Sequence, residues 1–121
     1  MARRVGKQNP ELVHLLVELR RAARSHTAPL WASVADRLER ARHATVPVNV
    51  AHLERLAAAG DTVVVPGKVL ADGRLSKALT VGAFAFSAGA RDKIRAAGGS
   101  AVSLHALLKA KPEGTGVRLL A

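Results

Sequence analysis

The spacing of apolar residues changes at Val46-Pro47, and this change constrains the fold more than any other feature of the chain. Before this point, leucines, alanines and one tryptophan recur every three or four residues, which predicts helices over about 10–24 and 30–42. Asn9-Pro10 suits the start of the first helix, because asparagine caps helix N-termini and proline fits the first turn. After this point, short valine-rich strands alternate with short helices. The sequence therefore predicts an α/β fold that begins with a helical segment.

Two stretches of the second half resemble each other. LERLAAAGDTVV (53–64) and DKIRAAGGSAV (92–102) each indicate a short helix, a glycine stop and a valine strand, with Gly60 and Gly98 as the stops. A pattern that repeats between positions 60 and 98 is typical of stacked supersecondary units, although chance in an alanine-rich chain would produce the same pattern. Further strands are predicted at 79–86, 101–103 and 116–120, and helices at 87–97 and 104–110.

The charge of the chain predicts a polyanionic partner. It has 19 lysines and arginines against 9 acids, a net charge of +10. Such an imbalance favours nucleic acid first and an anionic membrane surface second. Arginine predominates, which suits phosphate binding, although a GC-rich genome also favours arginine. With no apolar run near 20 residues and no secretory signal, we expect an intracellular, soluble protein that does not span a membrane.

The motif that most resembles a nucleotide site is VVVPGKVLADG (63–73). A nucleotide phosphate loop needs glycine five residues before Gly67, where Thr62 stands, and a hydroxyl after Lys68, where Val69 stands. The Asp-Gly pair that follows indicates a hairpin instead of a strand leading into a helix. We therefore predict a strand-ending turn that presents Lys68, and no nucleotide.

Other kinds of chemistry find no support in the residue pattern. The chain has no cysteine, its five histidines are scattered, and its acids stand singly, so we expect no metal, no cofactor, no small-molecule substrate and no catalysis. Readers of single-stranded RNA need exposed aromatic rings. Trp31, Phe84 and Phe86 all lie in apolar surroundings that predict core positions, so binding through phosphates and shape fits better.

Nine basic residues are candidate contacts to RNA. They lie on an extended basic arm over residues 1–8, in the last turn of the first helix, and on the predicted hairpin. A frayed terminus and ordinary solvated turns are the alternatives for the arm and the hairpin. The candidates are Arg3, Arg4, Lys7, Arg20, Arg21, Arg24, Lys68, Arg74 and Lys77.

Several blocks of the sequence occur in the order of a known family: NPELVHLLVELRRAA, WASVADRLERAR, VNVAHLERLA, DTVVVPGKVLADGRLSKALTVGAFAFS and PEGTGVRLL. The chain resembles the archaeal and eukaryotic large-subunit ribosomal protein eighteen-e family, related to bacterial large-subunit protein fifteen, and its short length suggests the archaeal form. Residues 37–47 match loosely.

The resemblance implies irregular repeated strand-strand-helix turns preceded by a helical N-terminal segment. It also implies a non-catalytic, ribosome-bound protein that binds and stabilises large-subunit ribosomal RNA beside neighbouring ribosomal proteins. We expect a basic arm over 1–8 and one globular domain over 9–121. A free-standing nucleoid or chromatin protein is the main alternative, and a small enzyme is the weaker one.

Overall fold

The computed structural model describes residues 10–41 and 47–120, and it confirms the α/β class. The two N-terminal helices are α1 (Pro10–Ser25) and α2 (Pro29–Ala41), close to their predicted bounds. The predicted basic arm, the predicted helix cap Asn9 and the last residue of the predicted second helix, Arg42, lie outside the described residues. The other elements are β1 (Val48–Asn49), α3 (Val50–Leu56), β2 (Thr62–Leu70), β3 (Thr80–Phe86), α4 (Ala88–Ala96), β4 (Ser100–Ser103), α5 (Leu104–Ala110) and β5 (Val117–Leu119).

The strands form one sheet in the order β1-β2-β3-β4, and every pairing among the described strands is parallel. β5 pairs with the first half of β2 and β1 with its last residues, so both flank β2 on the side opposite β3. Parallel neighbours need a crossover connection instead of a tight turn. The predicted hairpin after Lys68 is therefore wrong, because residues 71–79 return the chain to the start of the parallel strand β3.

The Pro66-Gly67 pair lies inside β2 instead of ending it, which corrects the predicted turn. Val65 pairs with Ala83 and Lys68 with Ala85, so β2 holds one residue more than β3 between these two pairs. This is a β-bulge, a place where a strand tolerates proline despite its missing N–H.

Two hydrophobic clusters lie on opposite faces of the sheet. Val64 belongs to the first cluster with residues of α1, α2 and α5, whereas Val63 and Val65 belong to the second with residues of α3 and α4. This split follows from the two-residue period of a strand. A parallel sheet needs such cover on both faces.

The three aromatic residues have different environments. Trp31 is fully buried, as predicted, and its Nε1 donates a hydrogen bond of 2.9 Å to the carbonyl oxygen of Pro112. Phe86 is half-buried against the second cluster. Phe84 is 39% exposed, so its predicted core position is wrong. It lies in the second half of β3 and lines a depression together with the first residues of α1 and α5.

The repeat seen in the sequence is present in the fold. Gly60 (φ 88°) separates α3 from β2 and Gly98 (φ 89°) separates α4 from β4. Both adopt the left-handed conformation that glycine reaches without strain. Gly116 (φ 77°) stands in the same relation to α5 and β5, which adds a third helix-glycine-strand unit.

Candidate nucleic-acid interface

Residues 71–79, which connect β2 to β3 and are called the strap below, are clamped between α3 and α4. Lys77 Nζ donates to the carbonyl oxygens of Glu54 (2.5 Å) and Ala57 (2.8 Å) at the end of α3. Carbonyl groups in the last turn of a helix have no partner within the helix, so the ammonium group satisfies them. From the other side, Lys93 Nζ donates to the carbonyl oxygens of Ala71 and Gly73, both at 2.6 Å.

A carboxylate adds to this clamp. Glu54 accepts hydrogen bonds from the backbone N–H (2.9 Å) and the hydroxyl (2.7 Å) of Ser76. The Ser76 N–H and then its hydroxyl hold the pKa of Glu54 below its ordinary value, and the charges of Lys77 and Arg74 lower it further. The strap is thus bound to α3 by side chains from both partners.

The strap backbone also approaches α3 closely. Gly73 has a φ of 103°, and a Cβ atom there would lie 2.4 Å from the Cβ of Ala51. The N–H of Ala51 donates to the carbonyl of Asp72 at 3.1 Å. The exposed Arg74 follows directly, so its backbone is fixed while its guanidinium faces solvent. Arg74 and Lys93 line one shallow depression beside α4.

Lys68 and Lys77 lie on opposite faces of the sheet. Lys68 is exposed, whereas the next residue, Val69, is buried in the second cluster with α3 and α4. Side chains alternate along a strand, so Lys68 points towards the other face. Lys77 is bound to α3 on the second face. The structure brings Arg74 and Lys77 together on the strap but does not bring Lys68 to them.

The three candidate arginines of α1 are not a free cluster. Arg20 is ion-paired with Asp36 (3.3 Å) and Glu39 (2.7 Å) of α2, and Arg21 is ion-paired with Glu18 (3.2 Å). Arg24 is exposed. Arg3, Arg4 and Lys7 lie outside the described residues.

Sequence reasoning missed exposed cations on α3 and α4. Arg91 and Arg95 are exposed four residues apart on α4, away from the buried Ala90 and Ile94. The guanidinium carbon of Arg91 lies 5.5 Å from the ring centroid of Phe86, within cation–π range. Arg55 is exposed on α3. The four-residue spacing of Arg91 and Arg95 is visible in the sequence and would have placed both on one face of the predicted helix. The contacts of Lys93 with the strap depend on tertiary structure.

Two kinds of site are missing from the part of the chain that the structure describes. Within residues 10–41 and 47–120, no group of three or more histidine, cysteine or acidic side chains could hold a metal ion. None of the helices described is long and apolar enough to cross a bilayer.

Comparison with known proteins identifies the family. A sequence profile described as "Ribosomal protein 60S L18 and 50S L18e" matches residues 1–121. The chain belongs to the L18/L18e family. Its L18e relative from Halobacterium salinarum, named large ribosomal subunit protein eL18, is 44% identical over 116 residues, which cover 96% of this chain and 99% of the relative.

Other L18e relatives agree over the same length. The protein of that name from Haloarcula marismortui is 45% identical over 116 residues (96% of this chain and 99% of the relative). The one from Methanopyrus kandleri is 44% identical over 120 residues (95% and 94%). The resemblance to the archaeal L18e proteins that the sequence suggested is confirmed.

Proposed function

We propose that this L18e-family chain binds large-subunit ribosomal RNA mainly through the side of the molecule formed by α3, α4 and the strap. Membership of the family makes the chain a structural constituent of the large ribosomal subunit, and it disfavours the free-standing nucleoid or chromatin protein. The proposal goes beyond that membership by naming the surface. The observation that carries it is the clamped strap, which presents Arg74 beside Lys93.

The distribution of charge supports this surface. Residues 47–120 contain ten lysines and arginines against five acids. Arg55, Arg74, Arg91 and Arg95 are exposed on α3, the strap and α4. Arginine matches phosphate oxygens with a planar fork of donors, and each phosphate neutralised releases condensed counterions.

The rigidity of the strap adds to this argument. An arginine on a loose loop loses backbone freedom when it binds, and this cost weakens the complex. The strap of this chain is already held by Lys77, Lys93 and Glu54 before any RNA arrives. Arg74 therefore needs to order only its own side chain.

The remaining candidate residues would contribute to RNA binding to different extents. Lys68 would contact RNA at the opposite face of the sheet, and Arg24 at the end of α1. Arg3, Arg4 and Lys7 would contribute from the N-terminal arm, beside one globular domain over 9–121. Arg20, Arg21 and Lys77 already have partners in the protein, so we assign them smaller roles.

The cellular context follows from the same proposal. The chain would act in the cytoplasm, bound to the ribosome, with ribosomal RNA and neighbouring large-subunit proteins as its partners. Its role would be to hold folded RNA in place, without catalysis. No cofactor is required for phosphate binding by arginine.

Directed hydroxyl-radical probing tests the surface. The chain has no cysteine, so a single variant such as Arg74→Cys can carry one tethered iron chelate. We expect large subunits assembled with this variant to show ribosomal RNA cleavage around position 74. Ser33→Cys, exposed on α2, is the matched control and should give weaker cleavage. Cleavage from position 74 no stronger than from position 33 would contradict the proposed surface.

A further inference from the structure

The connection from β3 to α4 is a single residue, Ser87, and hydrogen bonds fix its course. The N–H of Ser87 donates to the carbonyl oxygen of Val69 in β2 at 2.9 Å. The Ser87 hydroxyl accepts a hydrogen bond of 3.1 Å from the N–H of Ala90 and so caps α4. Because the chain turns so tightly here, the last residue of β3, Phe86, and the fourth residue of α4, Arg91, are held in a fixed spatial relationship.

The ring of Phe86 supports the guanidinium group of Arg91. The ring is half-buried against the second hydrophobic cluster, and the backbone of Phe86 pairs with Val69 of β2. The guanidinium carbon lies over the ring, 5.5 Å from its centroid. An aromatic ring attracts a cation through its π face, so this contact leaves N–H donors of the guanidinium group free for other acceptors. Phe86 therefore restricts where the guanidinium group lies without using up its donors.

Arg91 and Arg95 occupy positions that are unfavourable for the protein alone. Arg91 lies in the first turn of α4, where the helix dipole disfavours a cation. Arg95 follows four residues later on the same face, and like charges at this spacing repel each other. Both side chains are exposed, and neither guanidinium group has a hydrogen bond or ion pair with another residue in the described ranges 10–41 and 47–120. An anion bound beside both groups would offset this repulsion.

We infer that Phe86 is a positioning residue, which holds the Arg91 guanidinium group in place for a phosphate of ribosomal RNA, with Arg95 as a second donor on the same face of α4. A side chain that binds from a restricted position loses less conformational freedom than one that moves freely. The inference rests on the proposed RNA-binding surface. It adds to that surface an uncharged residue that acts through a charged one.

A double-mutant cycle tests whether the ring acts through Arg91. The cycle consists of Phe86→Leu, Arg91→Ala and the variant with both changes, each bound to a protein-free fragment of large-subunit ribosomal RNA in a filter assay. Phe86→Leu should weaken binding by about two- to tenfold, the range expected when one more side chain must be ordered. Arg91→Ala should weaken binding and lower the slope of log K against log salt by about 0.7–0.9. Adding Phe86→Leu to Arg91→Ala should cause no further loss.

Two further variants separate positioning from a general effect on the fold. Phe86→Tyr keeps an aromatic ring and should bind RNA as tightly as the unmodified chain does. Phe84→Leu removes an exposed ring of the same strand, one that lines the depression beside α1 and α5, and it should leave RNA binding unchanged. Thermal unfolding of every variant sets a temperature at which all of them are folded.

NMR of the free chain gives a result that does not depend on RNA. The order parameter of the Arg91 Nε–H bond should be lower in Phe86→Leu than in the unmodified chain, because the ring no longer restricts the side chain. Equal order parameters would overturn the inference. So would a loss of binding from Phe86→Leu that is the same whether position 91 holds arginine or alanine, since the ring would then contact RNA directly.

An unchanged salt slope in Arg91→Ala would also overturn the inference, and this result requires no change at position 86. Failure of the proposed function looks different. In that case the unmodified chain itself would not bind the RNA fragment.

Discussion

Lys93 of α4 binds the carbonyl oxygen of Gly73 at 2.6 Å, and Gly73 is the residue immediately before the exposed Arg74. A cation is therefore used to hold the backbone from which another cation projects. In a chain with a net charge of +10, this contact shows that basic residues have two physical roles. Some face solvent, and others satisfy backbone carbonyl groups inside the protein.

Replacing Lys93 should loosen the strap. Lys93→Met keeps most of the aliphatic length but removes both charge-assisted hydrogen bonds, to Ala71 and Gly73. We expect the free energy of unfolding to fall by about 1–2 kcal/mol, since water replaces these bonds in part. Amide hydrogen exchange over residues 71–79 should accelerate, as measured by mass spectrometry.

The matched control is Lys109→Met on α5, where the side chain is exposed and makes no hydrogen bond to another described residue. It should leave both the stability and the exchange of residues 71–79 unchanged. Equal exchange in the Lys93 and Lys109 variants would show that the clamp contributes nothing to the order of the strap.

The sequence predicted the elements of the fold better than their connections. Apolar spacing placed α1 and α2 within a residue or so, and the glycine stops predicted the helix-glycine-strand units. The direction of β3 was not predicted, because Asp72-Gly73 is a hairpin signal whose local chemistry is the same in a crossover. The parallel course depends on contacts distant in sequence, namely the pairing of β3 with β2 on one side and with β4 on the other.

The candidate site shows the same limit. From their charge alone, Arg74 and Lys77 were equally good candidates for RNA contacts. Only the tertiary structure shows that the Arg74 guanidinium faces solvent, whereas the Lys77 ammonium group is bound to two carbonyl oxygens. Phe84 was assigned to the core because its neighbours are apolar. Phe84 instead lines a depression beside the starts of α1 and α5, and this placement depends on tertiary structure that local sequence does not reveal.

Gly73 should tolerate replacement by alanine less well than Gly60 does. Gly73→Ala combines a φ of 103° with a contact of 2.4 Å to the Cβ of Ala51, so the strap must move away from α3. Gly60→Ala has a similar φ of 88° but no atom within 4 Å of the new Cβ. We expect Gly60→Ala to lower the free energy of unfolding by about 1–2 kcal/mol, because alanine is strained in this backbone conformation. Gly73→Ala should lower it by about 1–3 kcal/mol more, because the added methyl group is crowded in a packed site.

Chemical denaturation of both variants measures this difference. A Gly73→Ala variant as stable as Gly60→Ala would mean that the strap shifts without cost. The clamp described above would then be weaker than its short hydrogen bonds indicate.

Acid should destabilise the protein partly through Glu54. Its pKa is lowered in the folded chain by the Ser76 N–H and hydroxyl, from an ordinary value of 4.5. A carboxylate with a lowered pKa stabilises the folded state above its unfolded pKa, and this contribution is lost as the pH falls through the folded value. Stability should therefore decline below about pH 4.5, and Glu54→Gln should show a shallower decline over the same range.

Urea denaturation between pH 6 and pH 3 measures whether the free energy of unfolding falls with pH, and whether it falls less steeply in the variant. Glu113→Gln is the matched control, because Glu113 is exposed and makes no hydrogen bond or ion pair to another described residue. It should keep the pH slope of the unmodified chain. A Glu54→Gln variant with that same slope would refute the contribution of the Ser76 contacts.

Salt dependence separates the two roles of basic residues on the strap. Each phosphate contact to RNA changes the slope of log K against log salt by about 0.7–0.9. Arg74→Ala should lower the steepness by this amount while leaving thermal stability nearly unchanged, since the Arg74 side chain is exposed. Lys77→Met should lower thermal stability while leaving the salt slope unchanged, because its ammonium group is bound to the carbonyls of Glu54 and Ala57.

Filter binding to a ribosomal RNA fragment over a salt series, at a temperature where both variants are folded, gives the two slopes. If Lys77→Met flattens the slope and Arg74→Ala does not, the assignment of Arg74 to phosphate and Lys77 to the protein is wrong.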